Sequence, residues 1–145
     1  QQFEEIYAVY LDSAIRIGYE PKSKDVFRIL QSSMLSSIAV NKATGKIDGF
    51  VLGFIQEMFT DYKNDESKKV LEIMFIGTND ESRKAFIGYA LHVKLLDEAF
   101  SKYGVELIDL RGASRSKGRN YVKFKESFGG EYLSYAGSFV KTKFL

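Results

Sequence analysis

The sequence predicts an α+β domain organised round a mixed sheet, and three observations carry that prediction. Apolar residues recur at helical spacing over residues 3–19 and again over 82–104. Short runs rich in β-formers fill the stretch between these segments and the stretch after them. Composition is that of an ordinary globular domain, 45% hydrophobic and 28% charged, and 145 residues suffice for one core, so the expectation is a single domain spanning 1–145.

Each element has its own signal. Phe3, Ile6, Tyr7, Tyr10, Leu11, Ala14 and Ile15 form one helical stripe, stopped by Gly18 and Pro21. A second helix fits SKDVFRILQSSML, with Ser23 as N-cap and Val26, Ile29 and Leu30 facing inward. Two strands then read through SSIAVNKATGKIDGFVLGFIQEMF, joined by a short turn at Ala43-Thr44-Gly45-Lys46. The polar stretch TDYKNDESKK reads as a loop and VLEIMFIGT as the next strand. A long helix follows, with Phe86, Ile87, Ala90, Leu91, Leu95, Ala99 and Phe100 at helical spacing and Gly104 as its stop. VELIDLRG is a strand, RNYVKFKESF a short helix ended by Gly129-Gly130, and EYLSYAGSFVKTKF a terminal strand pair around Ala136-Gly137.

Charge and residue usage remove several functional classes. Lys and Arg number 21 against 19 Asp and Glu, so the formal charge of +2 gives no argument for nucleic acid or an anionic membrane as main partner. There are no cysteines, which excludes disulfides, thiolate metal sites and a cysteine nucleophile. His92 is the single histidine, so no multi-histidine metal centre can form, and its apolar neighbours suit a structural role. No apolar run reaches the length of a membrane span and no signal-peptide pattern opens the chain, which begins QQFEE without a methionine. The expected setting is cytoplasmic.

The segment LEIMFIGTNDESRKAFIGYAL, Leu71 to Leu91, resembles the cofactor-binding motif of the GCN5-related N-acetyltransferase (GNAT) superfamily. In that motif a strand and a short loop lead into Arg/Gln-x-x-Gly-x-Gly/Ala at the start of a long helix. Arg83 takes the first position and Gly88 the last, while Phe86 replaces the middle glycine. The order of elements resembles the GNAT fold over nearly the whole chain, lacking only a first strand. The resemblance implies a mixed, mostly antiparallel sheet flanked by helices and splayed between strands 4 and 5. It also implies acetyl-CoA as co-substrate, with no metal.

Anion binding is the physical logic of that motif. Amides at a helix start lack intrahelical acceptors and the helix dipole favours negative charge there, so a pyrophosphate can rest on Arg83, Lys84, Ala85, Phe86, Ile87, Gly88 and Tyr89. Phe86 either turns its ring into the core, leaving its amide free, or crowds the site; burial of the ring is the expectation. The resemblance also assigns the pantetheine arm to strand 4 at Ile76, Gly77 and Thr78. There Gly77 either keeps the path clear or marks a β-bulge.

The resemblance supplies catalytic candidates too. Acetyl transfer needs a neutral amine and hence a base. Glu72, eleven residues before Arg83 in a Glu-Ile-x-Phe stretch, is similar to the general-base glutamate of the histone-acetylating branch. Its alternative is a glutamate on a solvated strand face. The family's thiol-protonating tyrosine lies in a pattern resembling Asn-x-x-Ala-x-x-Phe-Tyr-x-x-x-Gly-Phe. With Gly129 on the pattern glycine, Phe124 takes the phenylalanine, Lys125 the tyrosine position and Gly118 the asparagine. Tyr121 lies one turn earlier on the same helical face and can substitute, while Lys125 can donate a proton, pair with the cofactor or simply face water. Arg111, Arg115, Lys117 and Arg119 either meet the cofactor's 3′-phosphate or stay solvated.

The favoured function is an acetyl-CoA-dependent N-acetyltransferase working by direct attack of an amine, with no covalent enzyme intermediate. The alternative is a non-catalytic GNAT-like protein. The second half resembles, at a few positions, the GNAT-like internal virion proteins of tailed phages, which would place the chain in a virion. Partners follow accordingly: acetyl-CoA, an unknown amine acceptor (small molecule or protein), no membrane, little support for nucleic acid, and a homodimer or virion assembly left open.

Overall fold

Phe50, Val51 and Leu52 are all fully buried, yet they serve two different cores, and this alternation sets the architecture. Successive strand residues point to opposite faces, so the strand that carries them must be covered on both sides. The computed structural model describes residues 2–61, 66–112 and 119–131. The chain divides into two compact units, Gln1–Arg111 and Gly112–Leu145.

The first unit contains helices α1 (Gln2–Ile17) and α2 (Lys24–Ser32), then strands β1 (Leu35–Val40), β2 (Ile47–Asp61) and β3 (Glu66–Thr78). Helices α3 (Asp80–Lys84) and α4 (Ile87–Tyr103) and strand β4 (Leu107–Asp109) complete it. The strands lie in the order β1-β2-β3-β4, antiparallel except for the last pair, which is parallel. Strands β3 and β4 stand where the expected fold has its strands 4 and 5. In the second unit the described helix is α5 (Arg119–Glu126), whose Phe124 ring meets Phe128 edge-on at 5.2 Å. No helix among the described residues is long and apolar enough to cross a membrane.

One face of the sheet is covered by α1 and α2. Ile6, Tyr10, Phe27, Phe50 and Leu52 are buried there, with Phe75 packed against them. Phe27 is the anchor: its ring stacks on Tyr10 at 4.4 Å and meets Phe75 and Phe50 at steep angles. A fully buried phenylalanine of this kind contributes about 2–3 kcal/mol. The other face is covered by α4, whose Leu91, Leu95 and Ala99 pack on Val51, Leu71 and Ile73.

Several punctuation residues act as expected. Gly18 ends α1 at φ 79°, Gly104 caps α4 at φ 63°, and Gly45 turns the β1–β2 hairpin at φ 70°. Asn41 fixes that turn by accepting the Ala43 amide at 2.9 Å and the Thr44 amide at 3.2 Å.

Other expectations are corrected. Val26 and Ile29 are exposed and α2 inserts Phe27 instead, because a nine-residue helix lying on a sheet buries a narrow face. Ser23 occupies the N-cap position of α2, but its hydroxyl caps nothing. Ile15 and Phe100 are exposed, being at the edges of their helices' apolar stripes. The polar stretch read as a loop is largely strand: β2 and β3 keep pairing out to Phe59↔Ser67 and Asp61↔Glu66. Backbone pairing sustains a hairpin there without an apolar pattern. The terminal strand pair around Ala136-Gly137 lies outside the described residues, as do Arg115 and Lys117.

Candidate active site

Two irregularities in β3 build the site. The first is a register change opposite Leu52/Gly53: Leu52 faces Phe75, Gly53 faces Ile73, and Met74 has no partner. Such a bulge inserts one residue and reverses the in–out alternation beyond it. Leu71, Ile73 and Ile76 therefore all belong with α4, while Phe75 turns to the α1–α2 face. Glu72, between Leu71 and Ile73, shares that second face with Phe75 despite the odd spacing. Gly53 makes the bulge room: a Cβ there would lie 2.8 Å from Leu71 Cδ1 and 2.9 Å from the Glu72 carbonyl oxygen.

The second irregularity is the parting of β3 from β4. Their pairing covers Val70↔Leu107, Leu71↔Ile108 and Glu72↔Asp109 and then stops. Lys69 holds the near end, where its carbonyl accepts the Glu106 amide at 2.8 Å and its ammonium donates to the Tyr103 carbonyl at 3.0 Å. From Ile73 to Thr78 no strand among the described residues pairs on that side of β3. This is the splay expected between strands 4 and 5.

Glu72 stands where the strands part. Its Oε1 lies 2.9 Å from Arg111 Nε and its Oε2 accepts Gln56 Nε2 at 2.9 Å. The Glu72 side chain is 20% exposed and that of Arg111 47%, so the pair borders solvent. Arg111 has φ 61°, unusual for a residue with a Cβ, and its amide donates to Asp109 Oδ1 at 2.6 Å. The family resemblance singles out Glu72; nothing in the sequence points to Gln56 or to Arg111 as its partner, because the contacts depend on the bulge and on the end of β4. Arg111, expected at a phosphate or in solvent, is engaged with a carboxylate.

Beyond β3 the chain is pinned by a polar knot. Asn79 Nδ2 donates to Asp48 Oδ1 at 2.8 Å, and the Asn79 amide donates to the Asp48 carbonyl at 3.0 Å. Asn79 also caps α3 by accepting the Ser82 amide at 2.8 Å. Arg83 ion-pairs with Asp80 and reaches the Thr78 carbonyl at 3.4 Å. Burial, followed by the nearby Arg83 charge, holds Arg16 below the usual arginine range. Two guanidiniums thus share this corner.

The helix expected to run unbroken from Ser82 is divided. Phe86, between α3 and α4, adopts the left-handed conformation at φ 56°, ψ 26°. Its ring is 71% exposed, which corrects the expectation that it belongs to the core: the divided helix turns the side chain away from the sheet. Phe86 thus holds a backbone conformation that suits glycine, at the position where the resembled motif has its middle glycine. The Ala85 amide donates to the Glu81 carbonyl, that of Phe86 to Arg83, and that of Tyr89 to Phe86. Ile87 and Gly88 open α4, where amides have no acceptor one turn back. Lys84 ends α3, exposed.

Ile76, Gly77 and Thr78 pair with Val51, Phe50 and Gly49 of β2. The reason for Gly77 is internal, since a Cβ would meet Phe50 Cε1 at 2.5 Å. The Thr78 amide donates to Ser13 Oγ at 3.3 Å. His92 is buried, its Nδ1 2.8 Å from the Gly88 carbonyl oxygen. In the second unit Tyr121 and Lys125 lie on α5, and Lys125 Nζ donates to the Gly112 carbonyl at 3.1 Å.

A sheet covered on both faces, split beside a strand that leads into a helix start, is the fold of the GCN5-related N-acetyltransferases. Solved structures bear the likeness out. An acetyltransferase from Trypanosoma brucei superposes with TM-score 0.65 at 17% identity, covering 97% of this chain and 96% of that one. Glucosamine-6-phosphate N-acetyltransferase from Arabidopsis thaliana gives 0.64 at 16%, with 97% and 94% covered. An aminoglycoside acetyltransferase from an uncultured soil sample gives 0.63 at 15%, with 97% and 88% covered. No family model matches the sequence, and no curated protein matches it.

Proposed function

We propose that the protein transfers an acetyl group from acetyl-CoA to an amine, by direct attack and without a covalent enzyme intermediate. The observation that carries this reading is the parting of β3 from β4 immediately after Glu72. Beyond that point no described strand pairs with Ile76, Gly77 and Thr78 on the side away from β2, where an extended pantetheine arm would lie, although the Thr78 amide donates to Ser13 Oγ. The strand then leads through α3 to the first turn of α4. There Ile87 and Gly88 offer amides, and Arg83 and Lys84 offer positive charge, to a pyrophosphate.

Glu72 is the base in this scheme, taking the proton of the incoming ammonium so that the neutral amine can attack the thioester carbonyl. The family resemblance assigns the proton returned to the departing thiolate to Tyr121 or, in its place, Lys125. A reaction fed by acetyl-CoA suits a cytoplasmic protein. The acetyltransferase names of the solved relatives support the chemistry, and they suggest aminoglycosides and glucosamine 6-phosphate as acceptors to try, beside polyamines and lysine peptides.

The test is calorimetric titration of acetyl-CoA into the protein and into Arg83→Glu. Binding should weaken in the variant by about 1–3 kcal/mol, the scale of a charge-assisted hydrogen bond. Equal affinities would overturn the pyrophosphate placement. No binding to the unaltered protein at high concentration would favour a non-catalytic bearer of the fold.

A further inference from the structure

We infer that Gln56 is a positioning residue for the base, its side-chain amide setting the plane in which the Glu72 carboxylate meets the acceptor's ammonium. The inference rests on the acetyl-transfer reading of the same site and adds to it a residue that the family resemblance leaves without a role.

The sheet brings the two side chains together. In the β2–β3 register Phe54 faces Glu72 and Gln56 faces Val70, so Gln56 is the diagonal neighbour of Glu72 on the same face. That diagonal is too wide for short side chains but within reach of two long ones, and Gln56 Nε2 donates to Glu72 Oε2 at 2.9 Å. The same nitrogen lies 3.7 Å from Met58 Sδ, which gives its second hydrogen an acceptor. The amide is thereby held with its nitrogen, not its oxygen, towards the carboxylate. Gln56 is exposed, so burial does not account for its place.

A carboxylate at the end of a flexible side chain turns freely unless it is held. Gln56 holds one oxygen from β2, and Arg111 Nε holds the other, also at 2.9 Å, from just past the end of β4. Two donors on two oxygens set the plane, while each oxygen keeps a further lone pair for a proton. The orientation is therefore settled before the acceptor arrives, and a catalytic group so placed loses least in reaching the reacting geometry. Neutrality is the second part of the role. An amide steadies the carboxylate without cancelling its charge, whereas a lysine at this position would put an ammonium where the acceptor's own must come.

Gln56→Leu tests the inference, removing the donor at nearly equal size from an exposed position. Thiol release from acetyl-CoA is followed with spermidine, kanamycin, glucosamine 6-phosphate and a lysine peptide, and the best acceptor gives kcat and KM for both proteins. In Gln56→Leu kcat should fall about tenfold, the scale of one hydrogen bond to a charged group. The KM for acetyl-CoA and the Tm should stay close to those of the unaltered protein. In a Glu72→Gln background, measured as single turnovers at high protein concentration, Gln56→Leu should cost nothing further, because the group it serves is gone. The side-chain amide signals of Gln56 in NMR spectra should also move on Glu72→Gln. An unchanged kcat, a loss confined to the acetyl-CoA KM, or an equal loss in both backgrounds overturns the inference and leaves the transfer reading standing. Amide signals indifferent to Glu72→Gln overturn it as well. If the unaltered protein acetylates none of the four acceptors, the transfer reading fails and the role of Gln56 fails with it.

Discussion

Gly77→Ala separates two reasons for a glycine at this point in β3. The added Cβ would sit 2.5 Å from Phe50 Cε1, 2.9 Å from Cζ and 3.2 Å from Val9 Cγ1. Carbon atoms in contact prefer about 3.5–4.0 Å, so the first approach is about 1 Å too close. Phe50 cannot yield alone: it is fully buried and meets Phe27 edge-on, and Phe27 in turn is stacked on Tyr10. Overpacking of this size costs about 1–3 kcal/mol. Loss of glycine's freedom in the unfolded chain offsets about 0.4–1 kcal/mol of that. The net destabilisation is about 1–2 kcal/mol, which for a domain of this length lowers Tm by about 3–8 °C. Differential scanning calorimetry measures the shift, and acetyl-CoA affinity is taken well below the transition. A lower Tm with affinity unchanged is the expected pair of results. An unchanged or higher Tm would refute the packing argument, and weakened binding at full stability would assign Gly77 to the pantetheine path.

Three further outcomes follow from other residues. Phe86→Gly removes a left-handed strain of about 1 kcal/mol, and unfolded-state entropy returns a similar amount. With the ring largely exposed, Tm should therefore stay close to that of the unaltered protein; a loss above about 2 kcal/mol in urea unfolding would show that the ring is buried after all. Glu72→Gln should keep acetyl-CoA affinity while the rate on a reactive acceptor falls by about two to four orders of magnitude, and an unchanged rate would remove Glu72 as the base. Burial first, then the neighbouring Tyr10, raises Tyr19 to about 12. The unfolded chain loses this proton near the ordinary value of 10.0, so the contribution is complete below pH 10 and is lost as pH rises towards 12. Urea unfolding between those values should weaken less steeply in Tyr19→Phe, and identical slopes would deny the shift.

The sequence reading located the segments that local chemistry dictates. Gly18, Gly45 and Gly104 all carry the positive φ that a helix stop or tight turn requires, and residues this short-ranged in their effect can be read one at a time. The junction from β3 to the helix start was legible for the same reason. What escaped depends on partners distant in the chain. Phe27 looked no more inward than Val26 or Ile29 until Tyr10, Phe50 and Phe75 surrounded it. Phe86 fitted a helical stripe, because spacing alone does not show that the helix is divided beneath it. Glu72 stands out as a candidate by resemblance alone, but Gln56 and Arg111 lie 16 and 39 positions away, and no periodic pattern links residues joined only by a sheet.

Met74 is the residue of β3 that has no partner on β2. Leu52 already faces Phe75 and Gly53 already faces Ile73, so deleting Met74 would leave every β2–β3 pair where it is and close the bulge. Phe75 would stay towards α1 and α2, Ile73 towards α4, and Glu72 on the face it shares with Gln56. The extra residue therefore contributes bend and twist beside the carboxylate, and the sheet can lose it without exchanging its two faces.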